Sequence, residues 1–151
     1  MPTIVDTLDD LTPLIGQRLE PSSWVEVDQQ RIDAFAAATG DHQWIHTDVD
    51  RARTGPFGGT IAHGYLTLSL LIPMWTEILD VREVTTKVNY GLNKVRFPAP
   101  VPAGSKLRGA ATLAAVDPVP GGVQLVVDIA VDIEGASKPA CVAQLMFRFL
   151  R

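Results

Sequence analysis

Two hydrophobic rhythms divide this chain, and the change falls near residue 80. Beyond it, apolar residues recur at every second position. The clearest run is Val123, Leu125, Val127, Ile129, Val131 and Ile133, the pattern of a strand with one buried face. Gly121-Gly122 before it and Gly135-Ala136-Ser137 after it mark chain reversals. The spacing predicts four strands, over residues 84–97, 105–117, 122–134 and 138–150. Short connections imply antiparallel pairing of consecutive strands, because parallel pairing needs a long crossover. Pro98, Pro100 and Pro102 predict a stiff loop between the first two.

The first half carries helical spacing instead. Residues 6–15 could form a short helix limited by Pro13. Trp24-Val25-Glu26-Val27 alternates like a short strand. Asp28 is a plausible N-cap, Ile32, Phe35, Ala36 and Thr39 follow at helical intervals, and Gly40 fits a C-terminal stop. Residues 41–60 read as a long loop, and long loops in compact domains tend to be functional. From residue 61 to about 79 nearly every position is apolar, which predicts a helix buried on most faces. Pro73 should kink or break it. Residues from Tyr65 to Trp75 read as core packing. The sum is one α+β domain over residues 1–151, a long antiparallel sheet wrapped around a buried central helix. That helix is too apolar to leave a side in water, so a second copy of the chain is expected to cover the rest.

Composition narrows the class. Hydrophobic residues make up 46% and charged residues 20%, which predicts a globular chain. The formal net charge of -4 disfavours nucleic acid as a partner. The uncharged stretch 54–76 contains Pro56, Gly58, Gly59, Gly64 and Pro73, a poor membrane span. Asp6, Asp9 and Asp10 near the start do not fit a secretory signal, so a cytoplasmic protein is expected. The lone Cys141 lies in an apolar run and reads as a small buried hydrophobe.

The chemistry concentrates in one stretch. All three histidines, His42, His46 and His63, lie near the best candidate acid, Asp41. Asp41 and His46 could form a proton-transfer pair. His63-Gly64 opens the apolar helix, whose first N–H groups are free to meet developing negative charge. An acid/base pair beside such N–H groups suits chemistry on a carbonyl compound. A metal site from His42, His46, Asp48 and His63 is disfavoured, because the intervening residues read as loop and no further ligand is evident.

Thr39-Gly40-Asp41, Ile45-His46-x-Asp48, Gly55-Pro56-Phe57-Gly58 and Ile61-Ala62-His63-Gly64 together resemble the hydratase-2 motif of MaoC-like enzymes. Residues 90–101 resemble the strand and turn after the central helix in that family. The resemblance implies a hot dog fold and R-specific enoyl-CoA hydration. Water would add syn to a trans-2-enoyl thioester, on coenzyme A or acyl-carrier protein, to give the (R)-3-hydroxyacyl thioester. It implies no cofactor and no metal. It makes Asp41 and His46 the catalytic pair and the Gly64 N–H the oxyanion donor. An aspartate serving as an acid would need burial, which the neighbouring core is expected to supply.

The family's usual Asn-Pro between the two catalytic residues is Gln43-Trp44 here. Gln43 is therefore a candidate for the asparagine's hydrogen bonds. His63, Tyr65 and Arg96 complete the candidate substrate contacts, and His63 could equally be structural. Arg51 and Arg53 read as solvated. Two other functions on the same fold stay open: an acyl-CoA thioesterase, whose helical carboxylate would have to be Glu77, and a non-catalytic partner subunit.

Overall fold

A computed structural model describes residues 1–151. Strand β1 (Thr3–Val5) is followed by a 3-10 helix (Leu8–Leu14) that contains Pro13. Strand β2 (Val25–Val27) leads into α1 (Gln29–Thr39). The Asp28 carboxylate accepts the Arg31 N–H, and Gly40 at φ 81° ends α1 in the left-handed region. The stretch expected to be loop holds two short helices, α2 (Trp44–Thr47) and α3 (Val49–Arg53). They are too short to show a hydrophobic period. The central helix α4 (Gly64–Ile78) starts three residues later than its apolar run, because Ile61 pairs with Pro102 in an isolated bridge instead. It runs unbroken through Pro73, which is exposed there.

Strands β3 (Leu79–Val81), β4 (Thr86–Arg96), β5 (Ser105–Val119), β6 (Gly122–Ile133) and β7 (Cys141–Leu150) follow. The main sheet has the order β2-β5-β6-β7-β4 and is antiparallel throughout. One expectation fails here. β4 does not pair with β5, its neighbour in sequence, but with β7 at the far side. The proline-rich segment instead crosses the start of α4, where Val101 accepts the Ala62 N–H and Ala103 donates to Thr60. β1 and β3 form a small parallel pair that three-residue strands gave no means to foresee.

Alternate residues of β5, β6 and β7 face α4: Leu107, Ala111 and Leu113, then Leu125, Val127, Ile129 and Val131, then Cys141, Ala143, Leu145, Phe147 and Phe149, all buried. The helix answers with Leu66, Leu70, Leu71, Met74, Trp75 and Ile78. Trp75 stacks on Phe147 at 5.7 Å between ring centres. This is the hot dog arrangement, a curved sheet around one helix. Burial pushes the Cys141 thiol up to about 11, so it stays neutral in the core. No helix is long and apolar enough to cross a membrane.

One side of α4 stays open. Tyr65 is 71% exposed, which corrects its reading as core. It sits at the start of the helix, where the sheet no longer covers it.

Gly122 lies against the β7 backbone, and a Cβ there would stand 1.9 Å from the Phe149 carbonyl oxygen. Gly122→Ala therefore forces the strands apart. It is expected to cost about 3 kcal/mol, a fall in Tm on the order of 10 °C by calorimetry.

Candidate active site

Helix α1 delivers the chain to the site. Its Phe35 and Thr39 lie one turn apart on one face, and the left-handed Gly40 turns the backbone so that Asp41 follows directly. The single turn of α2 then carries His46, whose N–H donates to the Gln43 carbonyl at 3.0 Å. The two segments meet α4 at a cavity of about 270 Å³. It is lined by Phe35, Thr39, Asp41, His46, His63, Gly64, Tyr65 and Phe97.

The His46 ring is nearly buried, at 7% exposure. Its Nδ1 lies 2.7 Å from the Ile61 carbonyl oxygen. A carbonyl only accepts, so Nδ1 carries a proton, and in the neutral ring the lone pair is then on Nε2. The Ile61 N–H donates back to the Ile45 carbonyl at 3.0 Å, so the strap around residue 61 and α2 hold each other.

His63 is still more buried. Its Nε2 donates to the main-chain carbonyl of Asp41 at 2.9 Å. Its ring stacks on His46 at 3.9 Å and 24°. The Phe35 ring packs on it as well, tilted, with 4.8 Å between ring centres. The ring thus touches the Asp41 backbone and the His46 side chain together, a structural role beside any substrate contact.

Asp41 itself is exposed, with only a long 3.4 Å contact from the Gln43 N–H to Oδ1. The burial expected for an acidic aspartate is not supplied by this chain's core. The residue lies at the cavity rim, just past the end of α1. Its side chain stands open to solvent there.

At the start of α4, the N–H groups of Gly64 and Tyr65 have no intramolecular acceptor, while those of Leu66 and Thr67 donate to the His63 carbonyl. Gly64 lines the cavity, and a Cβ placed on it would meet the Phe97 ring at 3.3 Å. The same glycine and phenylalanine also wall a second, mostly apolar cavity of about 350 Å³, with Phe57, Ile61, Ala62 and Val101.

Of the residues singled out from sequence, Asp41, His46, His63, Gly64 and Tyr65 come together. Gln43 and Arg96 do not line this cavity. Gln43 starts α2 without a side-chain cap, and the Arg96 guanidinium donates to the carbonyl of Val95. His42 is exposed, and Asp48 is spent capping α3 through the Arg51 N–H. Phe97, Phe35 and Thr39 were not among the predicted site residues. The helical spacing of Phe35 and Thr39 toward Asp41 is the signal that could have found the latter two.

Asp41, His46 and His63 place one ligand-type atom each within 4.8 Å of one another. Tetrahedral zinc needs its nitrogen ligands about 3.4 Å apart with lone pairs converging on one point. His63 Nε2 is taken by the Asp41 carbonyl and His46 Nδ1 by the Ile61 carbonyl, and the two rings are stacked, so the trio does not present a converging metal-ligand set. Glu77, the helical carboxylate a thioesterase would use, is tied down at the other end of α4. It accepts from the Ser23 N–H and hydroxyl at 2.8 and 2.9 Å.

Residues 10–131 match the sequence model described as the MaoC like domain. The chain is 47% identical to 3-hydroxyacyl-thioester dehydratase Z of Mycobacterium tuberculosis, over 96% of this chain and 97% of that protein. Among solved structures, the MaoC-like dehydratase from Rhodospirillum rubrum superposes with a TM-score of 0.77 at 24% identity, covering 96% of this chain and 97% of that one. The (R)-hydratase from A. caviae gives 0.72 at 20% identity, over 88% and 94%. Those two likenesses concern the fold, whereas the domain match and the mycobacterial relative reach the family: the chain belongs to the MaoC-like dehydratases.

Proposed function

We propose that the protein is an R-specific enoyl-thioester hydratase, running reversibly as a 3-hydroxyacyl-thioester dehydratase. The thioester would be carried on coenzyme A or acyl-carrier protein. The observation that carries this reading is the shared cavity of a free imidazole lone pair, a carboxylate and an unpaired helix N–H. The name of the mycobacterial relative supports the substrate class.

In the hydration direction, a water held by the Asp41 carboxylate gives one proton to His46 Nε2. Its oxygen bonds to the β-carbon of the enoyl group as the π electrons move toward the thioester carbonyl. The Gly64 N–H stabilises the resulting enolate oxygen. The imidazolium then delivers its proton to the α-carbon. One residue takes and returns the proton on one face, which makes the addition syn. The Asp41 carboxylate faces the imidazolium across the cavity and steadies it. No cofactor enters this scheme.

Incubation with trans-2-enoyl-CoA substrates of four to sixteen carbons, with chiral analysis of the product, tests the reading. The (R)-3-hydroxyacyl-CoA is expected. No hydration at any length, or the S product, would overturn it.

The active form is proposed to be a homodimer. β4 leaves one edge of the sheet unpaired over its whole length, with Val88, Tyr90 and Leu92 exposed on it. A long unpaired edge is a template for a second strand. Beside it runs a groove lined by Leu68, Ile72, Leu92 and Leu145, next to the open side of α4. Sedimentation is expected to give twice the chain mass. Val88→Lys with Leu92→Lys should weaken self-association at least about 30-fold. A wild-type monomer at micromolar concentration would count against the dimer.

A further inference from the structure

Helix α1 begins with a side chain whose amide bonds both within its own helix and beyond it. Gln29, its first residue, donates through Nε2 to the main-chain carbonyl of His46 at 2.7 Å. Its Oε1 accepts the Thr60 hydroxyl proton. The same Nε2 donates to the Asp33 carboxylate at 2.9 Å, one turn along α1. A carboxylate cannot donate and an amide NH₂ cannot accept, so these partners fix which way the amide faces.

The three contacts span the segments that place His46. The His46 carbonyl belongs to α2. Thr60 precedes Ile61, whose carbonyl holds the His46 ring. Thr60 is buried, and its own carbonyl is anchored by the Ala103 N–H. α2 starts without a side-chain cap, since Gln43 makes no such bond. The side-chain hydrogen bond to the His46 main chain comes from Gln29, seventeen residues before the histidine.

We infer that Gln29 is a positioning residue for the proposed acid/base site. It fixes the His46 main chain relative to the Ile61 carbonyl, and so fixes the aim of Nε2. The inference rests on the reading of His46 as the proton carrier. A merely structural Gln29 would help start α1 and pack against Thr60. The two roles separate in a near-isosteric variant that lacks the amide, because packing and helix propensity survive in Gln29→Met while the clamp does not.

In Gln29→Met, kcat is expected to fall about 10- to 100-fold with KM changed less than about twofold, because a misaimed base costs turnover rather than binding. Thr60→Val removes the other end of the clamp. The double variant should be no slower than Gln29→Met alone, since both act through one network. A second measurement does not depend on activity. The His46 Nδ1 proton, held by a buried carbonyl, should give a resolved downfield resonance in the proton NMR spectrum of the wild type. It should broaden by exchange with water in Gln29→Met. An unchanged kcat, or an unchanged resonance, overturns the inference. If the wild type hydrates no enoyl thioester, the functional reading fails separately, and the resonance alone decides the role of Gln29.

Discussion

Asp41→Asn is expected to lower the hydration rate by at least about 10³-fold while the chain stays folded. The amide keeps the shape of the carboxylate but loses its charge and half its acceptor capacity. It can neither hold the water in the acceptor-only manner proposed nor steady an imidazolium beside it. Asp41 is exposed and makes no close side-chain hydrogen bond, so the substitution should move Tm by only a degree or two. His46 calls for two variants. His46→Ala removes the base but also strands the Ile61 carbonyl and the stacked face of His63, which should cost about 2 kcal/mol. His46→Asn also loses the stacked ring but keeps a donor where Nδ1 stood, so it removes Nε2 without stranding the Ile61 carbonyl. Equal loss of activity in both, with stability lost mainly in the first, assigns the chemistry to Nε2. Steady-state kinetics on a trans-2-enoyl-CoA, with thermal melts of each variant, reads the result. Wild-type rates in Asp41→Asn or His46→Asn would remove the proposed mechanism.

Much of this site was legible because its parts are local in sequence. Asp28 bounds α1 with a side-chain cap and Gly40 with a left-handed backbone stop, both local signals, so the position of Asp41 just after a helix followed. The dyad spans only the residues 41–46. The alternation of β6 has one physical reading and gave that strand within a residue. What failed depends on contacts between distant segments. The pairing of β4 with β7 is set by where the proline-rich segment crosses α4, and no local pattern encodes that. The helices α2 and α3 are shorter than the window in which periodicity shows. Tyr65 continues an apolar run, yet the helix geometry turns it outward. Gln29 has an ordinary sequence context, and only the fold brings its amide to the His46 carbonyl.

Gly64→Pro tests the remaining part of the site, because it removes the one proposed donor that no side-chain change can reach. Proline is well tolerated as the first residue of a helix, where its missing N–H has no intrahelical acceptor to lose. The residue before it must be extended, and His63 already is, at φ -60° and ψ 136°. The backbone therefore accepts the substitution. The pyrrolidine ring does press on the Phe97 side chain, which a Cβ meets at 3.3 Å. Gly64→Ala makes the same Cβ contact while keeping the N–H, so it serves as the control. Gly64→Ala is expected to lose at most about tenfold in kcat, from the shift of Phe97. Gly64→Pro is expected to lose a further 10²–10³-fold, roughly what one oxyanion donor contributes. The difference between the two, measured as kcat on the same enoyl thioester, isolates the amide from the crowding. If the alanine and proline variants are equally slow, the enolate oxygen finds its stabilisation elsewhere, and the neighbouring unpaired N–H of Tyr65 is the next donor to test.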